Sequence, residues 1–358
     1  MIATRLDVRA VDVPMRRPLG TSAQTIRTAP LLLVDIETDL GIVGHAYLFC
    51  YHGLGQRLMA EVLRDTAEVV VGQVIDPRAV GATLARRWRL FGSQGGVGMA
   101  LGGLDTALWD ALAQEAGQPL ARFLGGEVVP LPCYNSNGLG LIGAASAARE
   151  AVELVDEGYT EIKLRLGYAT LDEDLAVVRA VRDAIGERIG LLVDYNQLLD
   201  RSEGLRRCLA LDGQGLRWIE EPVVHDDYAG AAAIAAQIAT PVQIGENLAG
   251  AHAVEAALAA RASDLLMFDL QRIGGISGWI DAAQIAAHRA IPLSSHLFPE
   301  VSAHLLGATP GRDRLEMVDW AAPVLREPLR VRAGYVTAPD RPGTGVCWDE
   351  DALKHYAC

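Results

Sequence analysis

Basic residues are in short supply in this chain of 358. Lys and Arg number 32 against 45 Asp and Glu, a formal net charge of −13. Neutralising phosphates takes clustered Lys and Arg, so the deficit excludes a general nucleic-acid binder and a basic membrane-surface patch. A small anionic substrate remains open, provided a local positive centre exists. No stretch reaches the ~18 uninterrupted apolar residues of a membrane span. The opening MIATRLDVRAVDV puts Arg5, Asp7 and Arg9 where a signal peptide needs its apolar core, so the expectation is a cytoplasmic protein. The five cysteines (Cys50, Cys133, Cys208, Cys347 and Cys358) are scattered, with no CxxC pair. That spacing excludes a disulfide framework or a zinc site and reads as reduced thiols, with Cys50 and Cys133 in the core. No GxGxxG stands at a strand-to-helix turn, which weighs against a plain Rossmann sheet. Half the residues are apolar and 37 are glycine, so the length implies a sizeable core and not disorder.

Two patterns divide what is there. Residues 4–13, 31–37 and 42–49 read as strands, the last two joined near Asp39, Leu40 and Gly41. Residues 55–70, 77–90 and 98–115 follow in helical spacing, and Gly117 and Pro119 end the last helix. Strands followed by helices predict a small α+β domain over 1–127. The segment 18–30 has no clear period and reads as a mobile loop. From residue 128 to 325, short apolar segments each precede a helical stretch. They lie at 130–136, 160–166, 189–196, 215–221, 241–247, 264–270, 291–298 and 314–319. Eight alternations predict a parallel (β/α)8 barrel. The strand- and turn-like residues 326–358 are expected to pack back on the N-terminal domain.

Seven of these segments end in a polar or ionisable group. In order these are Lys163 and Arg165, Asp194 and Asn196, Glu220 and Glu221, Glu246 and Asn247, Asp269, His296, and Glu316. The steps from 163 through 194, 220, 246, 269 and 296 to 316 are each one strand–helix unit long. All should therefore sit on the C-terminal rim, where barrel active sites are built. Asp194, Glu220 and Glu246 come from consecutive strands. Three converging carboxylates would repel, and a divalent cation removes that penalty. All-oxygen donors suit Mg2+, or Mn2+, and not zinc; the alternative is a set of carboxylates bridged to Lys and Arg. Asp269 and His296 end neighbouring strands, and a carboxylate beside an imidazole makes a general base. Lys163 and Arg165, at i and i+2, face one side of a strand. They supply the positive centre for a substrate carboxylate. A protonated Glu316 would donate a hydrogen bond to the enolate formed there.

The runs IKLRLGYATLDEDLAVVRAVRDAIG, LLVDYNQLLD, WIEEP, PVQIGEN, MFDLQRIGGISGW and PLSSHLFPEVSAHLL resemble the enolase superfamily, and within it the mandelate racemase subgroup. GLDTALWDALAQEAGQPLARFLGG resembles the segment leading that family's capping domain into its barrel. The resemblance implies a modified (β/α)8 barrel under an N-terminal α+β capping domain. It implies an enzyme that uses Mg2+ to abstract the proton α to a carboxylate, commonly as a dimer or octamer. By position it assigns the metal to Asp194, Glu220 and Glu246, and the His–Asp dyad to His296 and Asp269. It assigns the substrate carboxylate to Lys163, the electrophilic acid to Glu316 and a supporting amide to Asn196. The segment 18–30 matches the family's specificity loop, with Leu19, Ile26 and Tyr51 as substrate contacts and Ser136 as a hydroxyl on the substrate carboxylate.

One departure bears on the reaction. The subgroup's racemase carries Lys-x-Lys, whose second lysine is the base on the opposite face. Here the run is Lys163-Leu164-Arg165, and a guanidinium does not accept a proton near neutral pH. A racemase or epimerase of a 2-hydroxy acid therefore stands beside an acid-sugar dehydratase working through His296. A barrel that merely binds metal and carboxylate is the third reading. The polar residues Thr21, Ser22, Gln24, Thr25 and Arg27 suit a hydroxylated or charged substrate.

Overall fold

The computed structural model describes residues 1–358. The chain opens with β1 (Ala3–Gly20), β2 (Thr25–Thr38) and β3 (Val43–Phe49), an antiparallel sheet in the order β1-β2-β3. Helices α1 (Gly53–Val70), α2 (Pro77–Arg87) and α3 (Gly96–Glu115) and the single turn α4 (Leu120–Phe123) follow. β2 is apolar on both faces for a physical reason. Leu32, Val34 and Ile36 enter a core shared with α1 and α3, while Leu31 and Leu33 enter the larger core that continues into the barrel. A strand buried on both sides needs no polar alternation.

The barrel alternates β4 (Pro130–Asn135), α5 (Ala144–Asp156), β5 (Glu161–Arg165), α6 (Leu171–Ile185), β6 (Gly190–Asp194) and α7 (Arg201–Leu211). It continues with β7 (Leu216–Glu220), α8 (Tyr228–Ala235), β8 (Val242–Ile244), α9 (Gly250–Ala259), β9 (Leu265–Asp269) and α10 (Gly275–His288). It ends with β10 (Leu293–His296), α11 (Pro299–Gly307) and β11 (Leu315–Met317). All eight expected barrel strands are present and parallel, in the order β10-β9-β8-β7-β6-β5-β4-β11. The ring is nearly closed, because Ser295 N donates to Arg314 O and Glu316 N to the Ser295 hydroxyl. Helix α6 starts in a capping box in which Thr170 and Glu173 satisfy each other's backbone N–H. No helix is long and apolar enough to cross a membrane.

Two local expectations are corrected. The segment 18–30 is not an aperiodic loop. It is the far end of the β1–β2 hairpin, with Leu19 opposite Ile26, Gly20 opposite Thr25, and Thr21 N bonded to Gln24 O. Arg17 ties it to α5 through Glu157 (2.8 Å) and Glu153 (3.2 Å). The register shift between Pro14 and Leu19 breaks the period-2 pattern, which hid the strand. The tail 326–358 also divides its contacts. β12 (Tyr335–Thr337) pairs antiparallel with β4 of the barrel. The residues around α12 (Glu350–Tyr356) reach the N-terminal sheet, through Arg9 to Glu350 and Trp348 Nε1 to Asp35.

The loop between β9 and α10 is clamped to the N-terminal unit. Gln271 exchanges two hydrogen bonds with the backbone of Phe49, like a neighbouring strand. Gly102 of α3 has to be glycine, since a Cβ there would lie 2.5 Å from Gln271 O. Asp105 of α3 accepts from Ser277 N (2.8 Å) and the Ser277 hydroxyl (2.6 Å), capping α10 from another element. Burial pushes its carboxyl up to about 6, although the Ser277 bonds oppose the shift. An unfolded Asp titrates near ~3.9. The folded chain therefore keeps a proton that the unfolded chain has lost, and stability falls as pH rises from about 4 to about 6. We expect Asp105→Asn to flatten that slope, which is worth roughly 1–2 kcal/mol for a partly exposed group. Urea unfolding across this pH range measures it, and an unchanged slope overturns the assignment.

Candidate active site

The rim of the barrel is built from backbone that leaves each strand abruptly. Asn196, Gln197, Glu221, Leu297 and Phe298, all just past strand ends, have φ between 40° and 66°. Non-glycine residues in this region are uncommon and cluster at functional sites. After β8 the turn is made by Gly245 (φ 135°), whose Cβ would stand 2.2 Å from Met267 O. That close approach is what delivers Glu246 to the mouth.

The floor beneath the rim is Tyr134, Leu192 and Trp218, buried on β4, β6 and β7. Above it lies a cavity of about 230 Å3. β5 contributes Lys163 and Arg165; β6 and its turn contribute Asp194 and Asn196; the turn after β8 contributes Glu246 and Asn247. His296 and Glu316 enter from β10 and β11, and Ser136 from the end of β4. Leu19, Ile26 and Tyr51 of the N-terminal unit close the top, so the expected hairpin and barrel residues meet in one place. Glu220 and Asp269 stand directly behind, bonded to Lys163 and His296. Glu221 faces away and accepts from Gly245 N. Cys50 and Cys133 are buried and line no part of the cavity.

β9 and β10 pair in register at Asp269 and His296, and Asp269 Oδ2 lies 2.8 Å from His296 Nδ1. That bond assigns the proton to Nδ1 and turns Nε2 toward the cavity. Nε2 lies 3.2 Å from Glu246 Oε2. Lys163 Nζ sits 2.7 Å from Glu220, 2.8 Å from Glu316 and 3.4 Å from Asp194. Asn196 holds Asp194 by its backbone N–H (2.7 Å) and its amide (2.9 Å). Arg165 is buried and fastened to Gly138 O (2.8 Å), Ser136 O (3.1 Å) and the Ser136 hydroxyl (3.0 Å). Ser136 is thus engaged by Arg165.

The chain resembles known families and structures along nearly its whole length. Residues 3–125 match the mandelate racemase / muconate lactonizing enzyme N-terminal domain, and residues 146–352 match the enolase C-terminal domain-like family. The chain belongs to the mandelate racemase / muconate lactonizing enzyme family. An L-talarate/galactarate dehydratase from Salmonella typhimurium is 32% identical over 96% of this chain and 87% of its own. An enolase from Bradyrhizobium, solved with magnesium and mandelic acid, is 40% identical with a TM-score of 0.95, covering 100% of this chain and 98% of that one. An L-talarate dehydratase from Polaromonas sp. JS666, solved with Mg and L-glucarate, is 30% identical with a TM-score of 0.93, covering 100% and 97%. Like these relatives, the chain is an enzyme.

Within this mandelate racemase / muconate lactonizing enzyme barrel, the charges explain one another. Burial pushes the Glu220 carboxyl up to about 8, helped by Asp194 and opposed by Lys163. Burial and Glu246 likewise raise Glu221. Burial alone would lower Lys163, but Glu220, Glu316 and Asp194 hold it above its ordinary value. Burial also opposes the charged form of His296; Glu316, Glu246 and Asp269 outweigh it and push the imidazole up to about 9. Glu316 reverses an expectation. Burial raises its carboxyl, yet Lys163 and His296 bring it down to about 2, so it is ionised and accepts from Lys163 and Leu297 N. It is not a protonated donor here.

The fit to magnesium rests on the donor set. Asp194, Glu220 and Glu246 offer only oxygen, and the repulsion from Asp194 that adds to burial in raising Glu220 is what a divalent cation would relieve. As placed, no three acidic or imidazole groups close around one point. Lys163 bridges Asp194 and Glu220, and Glu246 turns to His296. Six lining residues escaped the sequence reading: Ala23, Phe49, Gln197, Arg272, Leu297 and Trp320. Arg272 follows Asp269 by three residues in the run QRIGG, the one signal that pointed to it.

Proposed function

We propose that this enzyme dehydrates an acid sugar, using His296 as its single base. The observation that carries the reading is Arg165. Where a second base would work the opposite face, a guanidinium is fastened by two carbonyls and a hydroxyl. It does not accept a proton near neutral pH. Asp194, Glu220 and Glu246 would hold Mg2+, which when bound stabilises negative charge building on the substrate carboxylate. Lys163 binds that carboxylate from the β5 side. Once Glu246 leaves it and its Nε2 proton passes to solvent, the neutral His296 takes the α proton on Nε2, and the electron pair passes into the carboxylate as an enolate. The β carbon–oxygen bond then breaks. The proton on His296 returns to the departing hydroxyl, which leaves as water, and the enol tautomerises to a 2-keto acid. The hairpin residues Leu19 and Ile26 exclude bulk water above the reacting carbon.

The relatives named a talarate/galactarate dehydratase and a talarate dehydratase support this reading. A racemase reading draws on the mandelic acid bound by the Bradyrhizobium relative and on relatives named as racemases from Bacillus cereus and Streptomyces coelicolor. Incubation with Mg2+ in D2O separates the two, across a set of 2-hydroxy acids and six-carbon acid sugars. Expected are 2-keto product and α-exchange with retained configuration. Solvent deuterium incorporated with inversion, without keto product, overturns dehydration. Arg165→Lys is expected to open the second face, so that exchange with inversion rises by about 10-fold or more. No rise means that position 165 does not face the α carbon.

A further inference from the structure

Two guanidiniums line the same cavity without any carboxylate within 4.0 Å: Arg165 and Arg272. Lys163, by contrast, is surrounded by three. Arg165 belongs to the reaction just described. Arg272 has no part in it. Its Nε is shut off from solvent and has no partner. Its two terminal nitrogens donate to neutral groups, one to the Tyr51 hydroxyl (2.5 Å) and the other to the Asn247 amide oxygen. Its Cζ stands 5.1 Å from the centre of the Tyr51 ring. Of five N–H donors, these bonds engage two.

The head is also held rigidly. The preceding residue, Gln271, is pinned through its side-chain amide to the Phe49 backbone by two bonds, and Arg272 N donates to Asp269 Oδ1 (2.9 Å). Tyr51 takes a left-handed backbone conformation (φ 61°), uncommon for an aromatic residue, and its hydroxyl meets the guanidinium there. A fixed planar fork with spare donors fits a carboxylate, and ordering it beforehand avoids losing freedom on binding. Its place on the Glu246–Asn247 side sets it apart from Lys163, which is bonded to Glu220 and Glu316.

We infer that Arg272 is a specificity-determining residue that binds the second carboxylate of a dicarboxylic acid sugar, making the substrate an aldarate and not an aldonate. The inference rests on the acid-sugar reading above and names the substrate class within it. Galactarate and galactonate differ only at that far end, a carboxylate against a hydroxymethyl group, and serve as probes. Titration calorimetry with the Mg2+-loaded His296→Asn protein, which lacks the proposed base, is expected to show galactarate binding on the order of 10–10²-fold tighter than galactonate, as a charge-assisted pair implies. In Arg272→Met the ratio is expected to fall to about 1, and in Arg272→Lys to recover in part. Equal affinities with Arg272 in place overturn the inference. So does a fall in Arg272→Met that is the same for both acids, because a purely structural arginine would act on both alike. All of these titrations, with and without the Arg272 substitutions, are made in the His296→Asn background, where turnover is about 10³-fold down, so binding is read apart from the reaction. If galactarate is preferred through Arg272 yet exchanges with inversion and yields no keto acid, dehydration fails and the dicarboxylate assignment holds.

Discussion

Replacing His296 by Asn is expected to lower turnover by about 10³-fold and to lower solvent exchange at the α carbon by the same factor. The two losses are equal because one nitrogen performs both steps. Nε2 removes the proton, and the imidazolium returns it to the leaving hydroxyl. Asp269 fixes that nitrogen through a bond of 2.8 Å to Nδ1. Neighbouring carboxylates hold the imidazole's charged form, which stabilises it after proton transfer. Asn keeps a donor toward Asp269 and removes the acceptor, so folding should be little affected. KM should change much less than kcat, since the α proton is met only in the transition state. Single-turnover kinetics and deuterium exchange by NMR, with thermal unfolding as control, measure this. Persistent exchange in the variant would mean that another group, with Arg165 first in line, reaches the α carbon.

Chelation of magnesium is expected to abolish turnover and to lower the unfolding temperature together, both restored by added Mg2+ but not by Na+. Asp194 and Glu220 are buried beside Lys163, with Glu316 on its other side. Lys163 provides one positive charge for three carboxylates, and such crowding opposes the folded state. A ligand present at about 100 times its Kd stabilises the folded form by ~2.7 kcal/mol. Glu220→Gln should abolish this gain while folding normally, since the amide resembles the neutral carboxyl that burial favours there without metal. Differential scanning calorimetry with and without Mg2+ reads the shift. If Glu220→Gln responds to Mg2+ as the native protein does, Glu220 is not a ligand.

How much was legible beforehand follows from local rules. The eight barrel strands were readable because each is a short apolar run, seven of them ended by an ionisable group, and one β/α unit separates each run from the next. Lys163, Asp194, Glu220, Asp269, His296 and Glu316 could be placed on one rim from spacing alone, since parallel strands put equivalent ends at one height. The hairpin at 18–30 was not readable, because Pro18 and the register shift before Leu19 erase the alternation. Arg272 was missed for a different reason. An arginine in a loop is ordinarily solvated, and its role depends on Tyr51, which lies 221 residues away in the chain.

The acidic chain, the alternating barrel and the order of charges at its strand ends follow from the order of amino acids, since strand period and unit length are local properties. Pairings across the fold are not. Glu316 is an ionised acceptor because Lys163 and His296 arrive from two other strands. Arg165 is tied down because Ser136 and Gly138 fold back over it. Arg272 is a half-buried cation with no carboxylate within 4.0 Å of its head because Tyr51, just past the N-terminal sheet, presents a hydroxyl to it. Charge state and bonding depend on which groups become neighbours after folding, and only the tertiary structure brings those neighbours together.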